Sequence, residues 1–223
     1  MTVNQTMKAL EAAGSAQMRA IYVRHGSGEN QFGVKFADLG KIKKQTGTDS
    51  KLAAELWATG NSDARMLACM AADAKTLTAD VLQAWAESIR YYGLAVVFVQ
   101  QLAGKSPHRR ELMLRWMEAP GEYVAQAGWD LLAQMAMNDK TAPEDFFIPY
   151  VERIEREIHS ERNRVRYSMN GALIAIGMRS DALRERAIAA ARRIGTVVVD
   201  HGETGCKTPE AVAYIRKARA RKK

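Results

Sequence analysis

Apolar residues recur every three or four positions along almost the whole chain, which is the spacing of amphipathic α-helices. The stretch 161–177 (ERNRVRYSMNGALIAIG) is the clearest case, since Val165, Met169, Leu173 and Ile176 form one apolar stripe. The side chains off this stripe carry a charge or an amide: Arg162, Arg164, Arg166 and Asn170. We therefore expect one face of this helix to be buried in a core and the polar groups to meet an anionic partner.

The same periodicity predicts helices from end to end, at 3–13, 16–25, 35–45, 51–58, 61–74, 79–90, 92–103, 106–118, 122–137, 146–159, 161–177 and 181–193. Asn61 and Ser106 are expected to cap helix starts, and Thr141 with Glu144 has the spacing of a capping box. The run 194–206 (IGTVVVDHGETGC) is the one strand-like stretch. A last amphipathic helix from Thr208 ends in a basic tail.

Helix pairs begin near Thr78, Pro120 and Glu161, at intervals of about 40 residues, the period of HEAT-like helical repeats. The expected fold is therefore all-α, a HEAT-like repeat solenoid (an α–α superhelix) with one open, concave basic face. A closed helical bundle stays an alternative, because helices of this length give a similar period. We expect a repeat domain at 1–195, and a turn with a basic C-terminal helix at 196–223.

Composition adds a partner class to this picture. The chain has 223 residues, 47% of them hydrophobic, and 33 Lys and Arg against 25 Asp and Glu give a net charge of +8. An excess of positive charge indicates a polyanion, either nucleic acid or an anionic membrane surface, although a solvated basic surface explains it too. The N-terminus has no signal-peptide pattern, and no apolar run reaches the ~18 residues of a membrane span. Two distant cysteines suit a reducing cytoplasm.

Several residue groups have donor types that chemistry uses, but their spacing favours structural roles. Asp200, His201, Glu203 and Cys206 lack the second ligand pair of a closed zinc site, so no metal is predicted. GSGENQFG at 26–33 has no Lys-Ser/Thr and is not a phosphate loop. Three histidines at predicted helix ends are expected to cap helices: His25, His108 and His159. Four aromatic side chains are candidates either for the core or for stacking on bases: Tyr91, Tyr92, Tyr123 and Trp129.

Five blocks, in order along residues 30–195, resemble the DNA alkylation repair family of AlkD-like HEAT-repeat glycosylases. They are FGVKFADLGKI (32–42), LAAELWATGNSDARMLACM (52–70), the region 85–104, NDKTAPEDFFIPYVERIERE (138–157) and ERNRVRYSMNGALIAIG (161–177). The resemblance implies an all-α solenoid that holds duplex DNA on a concave basic face. It also implies hydrolysis of the N-glycosidic bond of cationic alkylated purines, without metal or cofactor.

The chain departs from that family at the positions that carry the chemistry. Tyr92 stands at the family's tryptophan, Val96 at its aspartate, Gln126 at its arginine and Gly171 at its second tryptophan. A carboxylate stabilises the sugar cation that forms during hydrolysis and positions water, and valine does neither. The tryptophans hold a cationic base through π contacts, which glycine does not provide. The resemblance therefore implies a DNA-binding protein with weak or lost glycosylase activity.

Two alternatives remain open: an active alkylpurine glycosylase with a rebuilt pocket, and a protein-interaction scaffold. The pocket candidates are Tyr91, Tyr92, Trp129 and Asn170. The candidate phosphate contacts lie near the matching blocks and off apolar stripes: Lys35, Lys41, Lys43, Lys44, Lys105, Arg109, Lys140, Arg162, Arg164 and Arg166. We expect a monomeric, cytoplasmic protein that binds double-stranded DNA, uses no cofactor and does not enter a membrane.

Overall fold

A computed structural model describes residues 1–220, and this part of the chain is built from α-helices without a β-strand. The helices are α1 (Val3–Ala13), α2 (Ala16–Arg24), α3 (Phe36–Thr46), α4 (Ser50–Ala58), α5 (Ser62–Ala71), α6 (Ala79–Glu87), α7 (Tyr92–Gln101), α8 (Arg109–Met117), α9 (Glu122–Asn138), α10 (Ile148–Glu157), α11 (Asn163–Gly177), α12 (Asp181–Ile194) and α13 (Ala211–Ala220). Short 3-10 helices lie at Ala103–Lys105 and Glu144–Phe147. The basic end at 221–223 lies outside the described residues.

The chain divides into two compact units. The first contains residues 1–112 with 202–204, and the second contains, among the described residues, 113–201 and 205–220. The division falls inside α8. That residues 1–195 form a domain of their own stays a prediction.

Helix α5 lies at the centre of the first unit, packed against α3, α4 and α7. The indole rings of Trp57 and Trp85 stack with centroids 4.3 Å apart and planes 5° from parallel. The Trp57 ring also contacts the fully buried Phe98, and its Nε1 donates a hydrogen bond of 3.0 Å to Ser88 Oγ. The predicted cap at Asn61 is confirmed, because its side chain accepts hydrogen bonds from two N–H groups at the start of α5.

The buried carboxylate of Asp63 fixes the loop that precedes α3. It accepts backbone hydrogen bonds from Phe32 (2.6 Å), Gly33 (3.0 Å) and Val34 (3.2 Å). Gly33 has φ +77°, a conformation that glycine adopts without steric cost and that lets three successive N–H groups converge. Burial raises the pKa of Asp63, while the three N–H groups lower it. The glycine-rich loop is therefore a structural turn held by α5.

Packing between α9 and α11 dominates the second unit. The predicted apolar stripe is confirmed, since Val165, Met169, Leu173 and Ile176 are all buried in the core. Helices α12 and α13 pack on α11 as well. The N-terminus of α11 receives a carboxylate from α9, because Glu122 Oε1 accepts the Arg164 backbone N–H at 2.7 Å. An acidic group at this end also complements the helix dipole.

A segment without regular structure joins α12 to α13, and we call its residues 196–201 and 205–210 the C-terminal strap. Asn163 exchanges two hydrogen bonds of 2.7 Å with the backbone of Asp200. About two turns further along α11, Asn170 Nδ2 donates a hydrogen bond to the Pro209 carbonyl at 2.9 Å. The strand predicted within 194–206 was wrong, because here the backbone pairs with side chains of α11 and meets no neighbouring strand.

Helix starts follow the predicted period, with α6, α9 and α11 beginning at Ala79, Glu122 and Asn163. The capping box predicted for Thr141 and Glu144 was wrong. Asp139 Oδ1 accepts the backbone N–H of Thr141 at 3.0 Å, so Thr141 belongs to a turn after α9. Ser106 acts as expected at a helix start, and its Oγ accepts the His108 N–H at 3.1 Å.

Alanine substitutions at two glycines should change the free energy of unfolding in opposite directions. A Cβ at Gly128 would lie 2.6 Å from the Met117 backbone nitrogen, whereas a Cβ at Gly171 meets nothing within 4 Å. Gly128→Ala should lower the free energy of unfolding by about 1–3 kcal/mol through overpacking of α8 on α9. Gly171→Ala should raise it by about 0.5–1 kcal/mol through helix propensity. Urea denaturation of both variants measures the difference, and a neutral Gly128→Ala would contradict the close approach.

Candidate nucleic-acid interface

The lysines of α3 occupy different environments. Lys35 precedes the helix and is exposed, and Lys41 and Lys44 stand on the exposed face opposite the buried Leu39. Lys41 Nζ lies 2.7 Å from Asp38 Oδ1, an exposed pair that costs little to break. Lys43 is half-buried, and its Nζ lies 3.3 Å from Thr48 Oγ1. Lys41 and Lys44 are therefore accessible on one face of α3, and their contact with phosphate stays a prediction.

Lys105 and Arg109 flank the turn before α8. Lys105 is exposed, with its Nζ 3.4 Å from Gln101 Oε1. Arg109 begins α8 and is half-buried. Both lie in the first unit with the lysines of α3, and their contact with DNA stays a prediction.

Helix α7 presents a partly exposed face that contains Tyr92 and Val96, one turn apart. The Tyr92 hydroxyl is hydrogen-bonded to the His25 ring, and His25 ends α2 as expected. Tyr91 is buried in the core, which corrects its assignment as a pocket residue. Helix α7 contains no Asp or Glu, so the helix that carries Val96 supplies no carboxylate of its own.

The arginines predicted for DNA at α11 are not equivalent. The Arg162 guanidinium donates to the backbone carbonyls of Ala119 (3.1 Å) and Pro120, and it lies 3.6 Å from a Glu161 carboxylate oxygen. It therefore binds the loop between α8 and α9, which corrects the expectation of a free cation. Arg164 and Arg166 are half-buried, and Arg166 Nε is enclosed. Lys140, after α9, is exposed.

Three predicted pocket positions of the second unit are interior residues, which corrects the sequence-based expectation. Trp129 is 1% exposed and carries the Arg153 guanidinium 5.4 Å from its ring centroid. Asn170 is 2% exposed and holds the C-terminal strap. Gln126 is equally buried, and its Nε2 donates to Asp130 Oδ2 at 3.3 Å. Of the substituted family positions in this unit, Gly171 alone borders open space.

Asp130 is an unusual carboxylate of α9, because it is withdrawn from solvent and has polar partners in Gln126 and Ser168. Burial raises its pKa to about 6, against the lowering effects of Ser168 and Gln126. Strongly shifted groups concentrate at functional sites, although structural groups show such shifts too. Ser168, one turn along α11 from Arg164, is itself buried.

An aromatic patch that the sequence patterns did not single out surrounds Tyr167. This ring is 37% exposed and makes an edge contact with His201 of the strap, with centroids 5.5 Å apart and planes at 89°. Burial raises the pKa of Tyr167, as do the neighbouring Cys206 and Asp130, while Arg164 lowers it. Burial and Arg164 lower the pKa of His201, so its ring is neutral at pH 7. The signal available in the sequence was the spacing Arg164, Tyr167, Gly171 on one helix face.

Residues 1–220 were also compared with the patterns of ion-binding clusters and of membrane-spanning helices. Within that range no three His, Cys, Asp or Glu side chains are grouped to hold an ion, and no helix has the length and apolarity of a bilayer span. Cys69 is buried and Cys206 exposed, and neither forms a disulfide bond within the described residues. His201 pairs with Thr208 Oγ1 at 3.0 Å.

The raised pKa of Asp130 predicts that the stability of the fold depends on pH. Its folded pKa of about 6 exceeds the unfolded value, so folding favours the protonated form and stability falls as pH rises from about 4 to 6. Asp130→Asn removes the charge and should raise the free energy of unfolding at pH 7.5 by about 1–3 kcal/mol. The gain should vanish at pH 4. Urea denaturation at both values measures it, and an equal effect at the two pH values would contradict a buried charge.

Nearly the whole chain is similar in sequence to known proteins. Residues 6–215 match the family described as "DNA alkylation repair enzyme". The uncharacterized protein Lin0241 of Listeria innocua serovar 6a is 30% identical over 226 residues, 99% of each chain. The uncharacterized protein Lmo0209 of Listeria monocytogenes serovar 1/2a is 29% identical over 228 residues, 100% of each chain.

A solved structure has the same fold, with a TM-score of 0.89 and 27% identity over 100% of this chain and 95% of that chain. It represents "a new family of proteins related to the HEAT-like repeat DNA glycosylases with affinity for branched DNA structures". The predicted all-α, HEAT-like fold is therefore confirmed. With 210 of its residues matched, this chain belongs to the DNA alkylation repair enzyme family.

Proposed function

We propose that this protein binds DNA, prefers branched over plain duplex structures, and has weak or no N-glycosylase activity. The observation that carries the proposal is the likeness, over the full chain, to a HEAT-like structure whose family has affinity for branched DNA. At 27% identity the likeness extends beyond the fold to the sequence. We propose that the protein binds the double-stranded arms of a branch and that it does so as a monomer.

Positive charge supports binding to the DNA backbone. The net charge is +8, and the first unit has exposed lysines at α3 and at Lys105. Each cation that neutralises a phosphate releases a condensed counterion, so affinity falls steeply with salt. These contacts position a protein on DNA without reading its sequence. A preference for branched DNA must therefore come from the geometry of the site.

The apolar face of α7 supports the loss of chemistry. Hydrolysis of an N-glycosidic bond builds positive charge on the sugar, and a carboxylate aimed at that charge is the group that lowers the barrier. Val96 offers a branched hydrocarbon instead. The carboxylate of Asp63 in the same unit is fully occupied by three backbone N–H groups, so it cannot take over this role without releasing the loop.

An active enzyme with a rebuilt pocket is the second candidate, favoured by Asp130 alone. Its pKa of about 6 leaves it mostly ionised at neutral pH, as stabilisation of a sugar cation requires. The other residues expected in such a pocket weaken this alternative, because Trp129 and Asn170 are buried. Enzyme-dependent release of a methylated purine that is lost in Asp130→Asn would support it.

Binding is tested by titrating the protein with a three-way junction and with a duplex of equal length at two salt concentrations. We expect tighter binding of the junction and a loss of affinity with salt for both DNAs. Equal affinity for both would remove the preference for branches. Binding that salt does not weaken would contradict the phosphate contacts, and a protein partner that survives nuclease treatment would then favour a scaffold.

The lysines of α3 allow a matched variant test. Lys41→Gln with Lys44→Gln should reduce the salt slope, the change in log affinity with log salt, by about 2, because each phosphate contact contributes roughly 0.9. Lys51→Gln with Lys75→Gln removes the same charge from exposed positions outside the candidate set and is the control. Equal slopes for the two double variants would place the contacts elsewhere.

A further inference from the structure

One face of α11 carries, in sequence order, a cation, an aromatic ring and a position without a side chain. Arg164, Tyr167 and Gly171 follow at i, i+3 and i+7, a spacing that aligns side chains along a helix. This face lies opposite the buried apolar stripe. Burial of the stripe in the core therefore leaves this face available for another use.

The Tyr167 ring is held in place by its surroundings. The C-terminal strap is tied to α11 on both sides of it, by the Asn163–Asp200 pair before the ring and the Asn170–Pro209 bond after it. His201 of the strap meets the ring edge-on at 5.5 Å. With 37% of the residue still exposed, part of the ring surface is presented in a fixed orientation. A fixed ring loses little conformational entropy when it binds a ligand.

Space next to this ring is provided by Gly171. A Cβ at this position meets no heavy atom within 4 Å, so the helix backbone forms an open floor one turn from Tyr167. The other interior glycine of α11–α13 packing differs, because a Cβ at Gly177 would approach Ile215 Cδ1 at 2.8 Å. The gap at Gly171 is thus not filled by the protein.

Charge near the ring suits a nucleotide. Arg164 lies close enough to lower the pKa of both Tyr167 and His201. Tyr214, 50% exposed on α13, also lies near Tyr167 and precedes the exposed cations Arg216 and Lys217. Asp130 borders the ring from α9, so a phosphate belongs on the Arg164 side. A flat neutral group over the ring with an anion at Arg164 is the arrangement of a base and its phosphate.

We propose that Tyr167 is a stacking site for an unpaired nucleobase at a DNA branch, with Gly171 leaving room for the base and Arg164 meeting its phosphate. This inference rests on the proposed function and deepens it, because duplex arms keep their bases stacked while a branch point exposes some. A preference for branched DNA then has a local physical cause.

A double-mutant cycle tests the contact. Wild type and Tyr167→Ala are titrated with a three-way junction that carries one unpaired base at the branch, and with the same junction abasic at that position. Base–aromatic stacking predicts that Tyr167→Ala weakens binding of the first junction roughly five- to 100-fold and leaves the abasic junction unchanged. Tyr167→Phe keeps the ring and should bind as wild type. Leu114→Ala, at another exposed apolar residue, is the control and should not distinguish the junctions.

A second variant keeps the stacking site testable if Tyr167→Ala does not fold. Gly171→Leu keeps Tyr167 but fills the open floor beside it, and it should also weaken only the junction with the unpaired base. Photocrosslinking of an unpaired 5-iodouracil at the branch should map to Tyr167. If Tyr167→Ala weakens both junctions equally or neither, the stacking site is overturned while salt-sensitive junction binding keeps the proposed function. If wild type binds no junction, the proposed function fails and the inference with it.

Discussion

Burial of the α11 stripe in the core is the constraint on which the second unit depends. With Val165, Met169 and Leu173 committed to the core, the rotation of α11 is fixed and its opposite face must carry Arg164, Tyr167 and Gly171. The same helix provides the two asparagines that bind the C-terminal strap. Core packing, strap attachment and the aromatic patch are consequences of one helix orientation.

In the first unit the corresponding constraint is electrostatic. The Asp63 carboxylate is buried at 1% exposure and is compensated by three backbone N–H groups, as a buried charge must be. It fixes the loop before α3 and hence the exposed lysines that follow. The cost of this arrangement is that the carboxylate serves structure alone. The apolar Val96 on α7 and the committed Asp63 together explain why we assign this unit to binding and not to hydrolysis.

Local patterns in the sequence were sufficient to predict where most of the helices lie. The 3.6-residue period predicted α1 at its observed bounds and placed the starts of α6, α9 and α11 within two residues. It failed for 194–206, where a β-branched run suggested a strand. The structure satisfies that backbone with Asn163 and Asn170, which are distant in sequence, and no local pattern contains this information.

The candidate site was harder to predict because function and structure use the same residue types. Arg162 resembles a phosphate contact in sequence, yet it caps backbone carbonyls 42 and 43 residues away. Trp129 resembles a stacking residue, yet it is enclosed by the core and by Arg153. Tyr167 became visible only through its exposure and the empty space at Gly171, which depend on tertiary packing.

The central claim is that this family member holds DNA without the carboxylate that the chemistry requires. A single-turnover assay on methylated DNA, with protein in excess over a duplex it demonstrably binds, tests this most directly, because slow product release then cannot hide a chemical step. The account predicts release of methylated purine at the rate of the protein-free control. Release that rises with protein and saturates with bound DNA would contradict it and would show that another group stabilises the sugar cation.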